Sequence, residues 1–284
     1  MQSFYTALKE KFRERDFVWI LISVCVAAFI LTSTLSLIGV LFQQESIVRF
    51  SNLYLCMPLS FAKLLHTPWT IFTNIFVHIG IGHLFFNMLT LFWFGQIYQL
   101  YLNNKYAWKV FFGGAIFGCV LVLFAYNFIP YFSQTAETSL LAGASGGILA
   151  IIFATVALNP EYEVSLLFFG RIRLKYIALI MILLNYVSLL GTNSGGVIAH
   201  LGGAAFGFLY MKQIQHGRDL LSFSFRKKMR VVHSNPQPFL PEQKSENEGQ
   251  KRLDKILDKI SRSGYDSLSK AEKDFLFKFS KKED

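Results

Sequence analysis

Acidic side chains and cysteines are scarce in this chain of 284 residues, and every familiar metal or cofactor signature is missing. Three cysteines, Cys25, Cys56 and Cys119, make no disulfide framework, and two of them fall in apolar runs, so they read as packing residues. No H-E-x-x-H occurs, which removes zinc proteases of that pattern. No pair of aspartates lies in an apolar run, which removes a two-carboxylate mechanism. The glycine-rich stretches follow no strand, so no dinucleotide fingerprint is present. No metal and no cofactor is therefore expected. The chain also lacks a convincing internal repeat, which weighs against transporter folds built from repeats.

What is abundant is apolar. Hydrophobic residues make up 53% of the chain against 16% charged, with 30 Phe, and the mean hydropathy is +0.39. Both values are those of a membrane protein. A helix crosses the hydrocarbon with about 20 mostly apolar residues. Six segments meet or approach that standard, at roughly 17–42, 83–102, 107–129, 143–159, 175–191 and 196–213. The fourth is short and opens on polar residues, so it is expected to begin below the membrane surface.

Charge orients the spans. Lys9, Lys11, Arg13 and Arg15 precede the first. Lys105 lies between the second and third, and Arg171, Arg173 and Lys175 lie between the fourth and fifth. The alternate connections hold only Arg49 and Lys63. The positive-inside rule then places both termini in the cytoplasm, with six crossings. The formal charge of +10 reads as topology and contact with anionic membrane lipid rather than nucleic-acid binding. No small-residue cleavage site follows the first span, so it is expected to stay attached.

The expected organisation is a basic arm (1–16), a membrane domain (17–213), a basic flexible linker (214–250) and a small helical hairpin (251–284). Pro236, Pro238 and Pro241 mark the linker. In the tail, Leu253, Ile256, Leu257 and Ile260 share one helical face, and Gly264 ends that helix. Ser269-Lys270-Ala271-Glu272 is a capping-box pattern that opens a second helix carrying Phe275, Leu276 and Phe279. The hairpin reads as a solubilising or membrane-surface appendage, with a regulatory or partner-binding role as the alternative.

Three polar groups stand out against the apolar background, because lipid gives no reason to keep them. His83 and Asn87 are four residues apart, on one face of the second span, and both can donate hydrogen bonds. Ser145 sits in Gly143-Ala144-Ser145-Gly146-Gly147, where glycines leave its hydroxyl uncrowded. If a helix begins there, its free N–H groups and positive dipole end would stabilise a developing oxyanion. Gly196, His200, Gly203 and Gly207 line one face of the sixth span, and a glycine face lets a neighbouring helix come close. Each group has a structural alternative. Gly143 and Gly147 form a GxxxG packing pair, His200 could hold a structural hydrogen bond, and His83 with Asn87 could bridge helices. Together, a serine, a histidine and a donor pair on three inward faces are what acyl transfer requires.

The chain here resembles the rhomboid intramembrane serine proteases over about 17–213. His83-Leu84-Phe85-Phe86-Asn87 is similar to the family's HxxxN, Gly143-Ala144-Ser145-Gly146 to its GxSG, and Ala199-His200-Leu201-Gly202-Gly203 to its AHxxG. His78 and the loop residue Trp69 fit as well. The resemblance implies an all-α, six-helix bundle around a water-filled cavity open to the outside. It implies Ser145 as nucleophile and His200 as general base, with no acidic third member. His83, Asn87 and the Ser145 N–H would form the oxyanion hole, with Gly143, Gly146, His78 and Gly203 in support. It further implies that 43–68 is a hairpin lying partly in the outer interface. The expected partners are transmembrane protein substrates in a bacterial inner membrane; no nucleic-acid partner is expected, and the oligomeric state is left open. Two residues depart from the common pattern. Thr70 follows Trp69 where many members have arginine, which puts the usual loop anchor in doubt. Leu149 stands where many have an aromatic on the dyad histidine, so His200 is expected to be oriented by packing alone. The competing readings are an inactive rhomboid-like protein that binds client helices, and a transporter or channel with a polar pathway.

Overall fold

The computed structural model describes residues 16–166, 170–222 and 244–280. The basic arm, apart from Asp16, lies outside the described residues, as does most of the expected linker with its three prolines. The chain divides into two compact units, 1–223 and 224–284.

Among the described residues of the first unit, six longer apolar helices form an all-α membrane bundle. They are α1 (Phe17–Leu41), α2 (Ile81–Gln99), α3 (Asn104–Phe128), α4 (Ser145–Leu158), α5 (Leu174–Val187) and α6 (Ser194–Gln215). At about 1.5 Å per residue, α1, α3 and α6 exceed the roughly 30 Å of a hydrocarbon core. The 14 residues each of α4 and α5 reach only about 21 Å on the same rise. A short helical segment, Thr70–Phe76, meets α2 across a bend of 87°. Ile30, Leu31, Val40 and Leu41 on α1 and Phe85 and Phe86 on α2 are exposed, as expected of side chains that face lipid.

The helices are set by local chemistry as well as by apolar length. Asp16 caps α1, its Oδ1 accepting from the amides of Val18 (3.0 Å) and Trp19 (3.4 Å). Gln99 Nε2 donates to Asp16 Oδ1 and to Asn104 Oδ1, and Phe17 N donates to Asn104 Oδ1, so one polar knot ties the ends of α1, α2 and α3. At the far end of α6, Asp219 accepts from Tyr210 Oη (2.6 Å) and pairs with Lys109 of α3 (2.5 Å). That pair latches the chain leaving α6 onto the bundle.

α4 sits at the centre. Ten of its 14 residues are buried, and it packs most extensively on α6 and α3, then on α2. A helix that is apolar all round belongs in the middle of a bundle. Its contact with α6 is backbone to backbone. A Cβ at Gly203 would stand 2.0 Å from the carbonyl oxygen of Gly146, and one at Gly207 would stand 2.0 Å from that of Ala150. No other residue permits this approach.

The connection 43–68 consists of three helical turns, Glu45–Val48, Phe50–Tyr54 and Phe61–Leu64, with a two-residue strand β1 (Met57–Pro58) between the last two. β1 pairs antiparallel with β2 (Leu140–Leu141) just before α4. A second hairpin, β3 (Glu163–Leu166) with β4 (Gly170–Arg173), links α4 to α5.

The second unit holds α7 (Lys244–Ser263), a 3-10 turn (Tyr265–Ser267) and α8 (Lys270–Ser280). Among its described side chains, Ile256 and Leu268 are the buried apolar ones, while Leu257 is half exposed; the side chain of Phe279 lies outside the described residues. α7 begins inside the stretch read as linker, at Lys244; Lys244, Glu246, Glu248 and Gln250 favour the helix there, against Ser245, Asn247 and Gly249. At the start of α8, Ser269 N donates to Glu272 Oε2 (2.8 Å) and Glu272 N donates to Ser269 Oγ (3.4 Å), a reciprocal capping box. Lys259 of α7 pairs with Glu272 at 2.9 Å.

The α4–α6 contact gives a direct test. Gly207→Ala should destabilise the protein by about 1–3 kcal/mol, the usual cost of overpacking, read as a lower unfolding midpoint in detergent. Gly82→Ala, which meets nothing within 4 Å, should leave that midpoint unchanged. Equal midpoints for the two variants would mean that the helices separate freely.

Candidate active site

The N-terminus of α4 opens into a cavity of about 420 Å³ lined by Ser145, His200, His83, Asn87 and Gly143, among others. The chain reaches it along β2, and Gly143 turns it into the helix at φ +130°, a conformation that favours glycine. A Cβ at Gly143 would lie 3.0–3.1 Å from the His83 ring, so this glycine also makes room for that imidazole. Gly143 N donates to Asn74 O at 2.9 Å. No side chain caps α4. Its first-turn N–H groups, beginning with that of Ser145, have no intrahelical acceptor by the geometry of a helix end, and they stand beside the Ser145 hydroxyl.

Ser145 Oγ lies 2.6 Å from His200 Nε2. The other ring nitrogen, His200 Nδ1, lies 2.8 Å from Asn185 Oδ1 on α5. Packing alone therefore does not orient His200. Leu149, where an aromatic would stack, is buried in the core, and an amide on another helix makes a polar contact to the imidazole instead. Asn185 was missed in the sequence because it stands near the end of an apolar run, where a lone polar residue reads as the edge of a span. The available signal was the general cost of a polar side chain inside lipid.

His83 and Asn87 share the inward face of α2. Asn87 is buried, and its Nδ2 has no hydrogen-bond partner among the described residues. The same holds for His78 Nε2, although His78 Nδ1 contacts Phe76 O at 3.2 Å. The His78 and His83 rings meet edge to face at 5.1 Å, so His78 buttresses His83 from the bend before α2. A buried donor such as Asn87 Nδ2 is costly without an acceptor unless something fills the space it faces, and Asn87 lines the cavity that also holds Ser145. Gly146 and Gly203 do not line up as donors. They act where α4 meets α6, by letting the two backbones touch.

The connection 43–68 is tied down without an arginine after Trp69. Trp69 Nε1 donates to Tyr54 O (2.8 Å) and Thr73 Oγ1 to Leu55 O (2.9 Å). Thr70 is fully buried and closes a local turn to Thr67 O. Asn127 at the end of α3 donates to Leu59 O and accepts from Phe61 N. Glu137 accepts from Ser60 Oγ at 2.5 Å, and its backbone carbonyl accepts from Lys63. The Ser60 hydrogen bond first, and then the Lys63 ammonium 3.4 Å from the carboxylate, hold the Glu137 carboxyl below its ordinary pKa of 4.5.

Residues 65–215 match the Rhomboid domain family, and residues 242–282 match a family of unknown function, DUF6576. A mitochondrial RHOMBOID-like protein 12 of Arabidopsis thaliana is 28% identical over 158 residues, which is 52% of this chain and 47% of that protein. The chain thus spans about half the length of this relative.

The Glu137 anchor carries a pH prediction. A carboxyl whose folded pKa is depressed contributes stability above its ordinary value, and that contribution disappears as pH falls through the folded value. Amides of 59–65 should therefore lose intrinsic-rate-corrected hydrogen-exchange protection as pH drops below about 4.5. Glu137→Gln should show the same loss at pH 7. Unchanged protection in that variant would remove Glu137 as the anchor.

Proposed function

The chain belongs to the rhomboid family of membrane proteins, and we propose that it is an intramembrane serine endopeptidase that cleaves transmembrane helices of other membrane proteins. The observation that carries this reading is the 2.6 Å contact between Ser145 Oγ and His200 Nε2 in a cavity that His83 and Asn87 also line. A merely structural serine would not need a histidine nitrogen in line with its hydroxyl beside unpartnered donors.

The proposed cycle begins with His200 Nε2 accepting the Ser145 proton as Oγ bonds to the scissile carbonyl carbon. Charge then develops on the carbonyl oxygen. Asn87 Nδ2, His83 and the Ser145 N–H are the donors available to it, in a site where preorganised dipoles act strongly. Collapse breaks the C–N bond, His200 returns the proton to the leaving amine, and an acyl-enzyme remains. Water from the cavity hydrolyses it, with His200 again taking a proton. A volume of about 420 Å³ has room for several waters. Such water matters because the reaction consumes one per turnover.

Orientation belongs to the same proposal. Lys105, Arg171, Arg173 and Lys175 lie at one end of the bundle's helices, on the connections expected to face the cytoplasm. Ser145 begins a helix that starts from the opposite end. Substrate would then be cut near the outer face, with both termini of this chain cytoplasmic in a bacterial inner membrane.

A fluorescent fluorophosphonate tests the nucleophile directly. Purified wild type in detergent should label, Ser145→Ala should not, and His200→Ala should label at least about 10²-fold more slowly. Asn87→Ala should lower peptide cleavage by about 10²–10³. Label retained on Ser145→Ala would sink the assignment. A folded wild type that takes no label would instead favour a rhomboid-like protein that binds client helices without cutting them.

A further inference from the structure

We infer that Asn185 is a positioning residue that fixes the tautomer of His200, taking the place of an acidic third member or a stacked aromatic. The inference rests on the protease reading above for its consequence, and on hydrogen-bond geometry for its substance.

The amide orientation of Asn185 follows from its two contacts. Its Nδ2 lies 2.8 Å from Met181 O, one turn back on α5. A carbonyl oxygen can only accept, so the NH₂ must face Met181. The Oδ1 then faces His200 Nδ1 at 2.8 Å. Oδ1 can also only accept, so Nδ1 must carry the imidazole proton; a bare Nδ1 would set two lone pairs against each other at that distance. A neutral imidazole protonated at Nδ1 leaves its lone pair on Nε2, which faces Ser145 Oγ at 2.6 Å. The serine hydroxyl then donates to Nε2, the arrangement a general base needs. The chain of contacts runs from Met181 O through Asn185 and His200 to Ser145, and each step sets the direction of the next.

A purely structural role is the alternative, because only Leu174 and Ala178 of α5 are buried and Asn185 could serve as a tether between α5 and α6. A tether using the same bond would set the tautomer as well, but its loss would loosen α5 and leave the reaction at Ser145 unslowed. The two roles therefore separate by the labelling rate and its rescue, read together with the tautomer.

The test uses full-length protein, with Asn185→Leu (similar size, no acceptor) and Asn185→Asp (acceptor kept). The first readout is nitrogen-15 NMR of histidine-labelled protein in lipid vesicles, with His200→Ala identifying the His200 signals. Wild type and Asn185→Asp should carry a proton on Nδ1 of His200, and in Asn185→Leu that preference should disappear. The second readout is the rate of fluorophosphonate labelling, in which Ser145 Oγ bonds to phosphorus, fluoride leaves and His200 takes the hydroxyl proton. Asn185→Leu should label more slowly by on the order of tenfold or more, since a misplaced imidazole proton blocks the base, while Asn185→Asp should recover most of the rate. Wild-type His200 protonated at Nε2, or an Asn185→Leu variant that keeps either the tautomer or the labelling rate, would overturn the inference. Absence of label from the wild type would overturn the protease reading instead, and the tautomer measurement would still decide the Asn185 contact.

Discussion

The close approach of α4 and α6 is the constraint on which the rest depends. In lipid, helices gain nothing from hiding apolar surface, because the solvent is itself apolar. Association must come from contact, and contact improves as backbones come closer. Gly203 against Gly146 and Gly207 against Ala150 take that to its limit, with carbonyl oxygens where a side chain would otherwise stand. The 2.6 Å span from Ser145 to His200 is inherited from that packing. Ser145 is the first residue of α4, one position before Gly146, and His200 lies one turn before Gly203. A shift of one helix against the other by an ångström would break the hydrogen bond long before it unfolded the bundle.

The shortness of α4 is the second constraint, and it makes the cavity. A helix of 14 residues cannot cross the hydrocarbon alone, so its N-terminus must end within the bundle. A helix end needs acceptors for its first N–H groups, and none is supplied by a capping side chain here. Asn87 Nδ2 adds a further donor without a partner among the described residues. The region is thus rich in donors and poor in acceptors, the polarity expected of a site that receives a developing negative charge. Hydrophobic packing would never produce such an imbalance, and its price in stability is offset by the close packing of α4 against α3 and α6.

Much of this was legible from the chain itself. The 4-3-4 spacing of Gly196, His200, Gly203 and Gly207 places a histidine beside a contact face, and the four-residue step from His83 to Asn87 places two donors together. Both follow from the helical period alone. The loop anchor was not legible, because Glu137 meets Ser60 and Lys63 from more than 70 positions away, and the pairing depends on how β1 and β2 bring two loops together. Asn185 was missed for a similar reason. Its partner is 15 residues on and on another helix, so no periodicity links them; only the rotation of α5 about its axis decides whether the amide faces His200 or lipid.

That an amide rather than a carboxylate stands behind His200 has a physical logic. A carboxylate would hold the same tautomer and would also stabilise the imidazolium formed during reaction. In lipid, however, a charged side chain costs about 2.5–3.5 kcal/mol at the helix centre on insertion scales, and α5 is a helix whose neighbouring side chains Leu183, Leu184, Tyr186 and Val187 are exposed. An amide supplies the acceptor without the charge, and its second polar group is satisfied within its own helix by Met181 O. The bond to His200 is then the one contact the amide carbonyl is left to make, which is why a neutral residue can set the direction of a proton here.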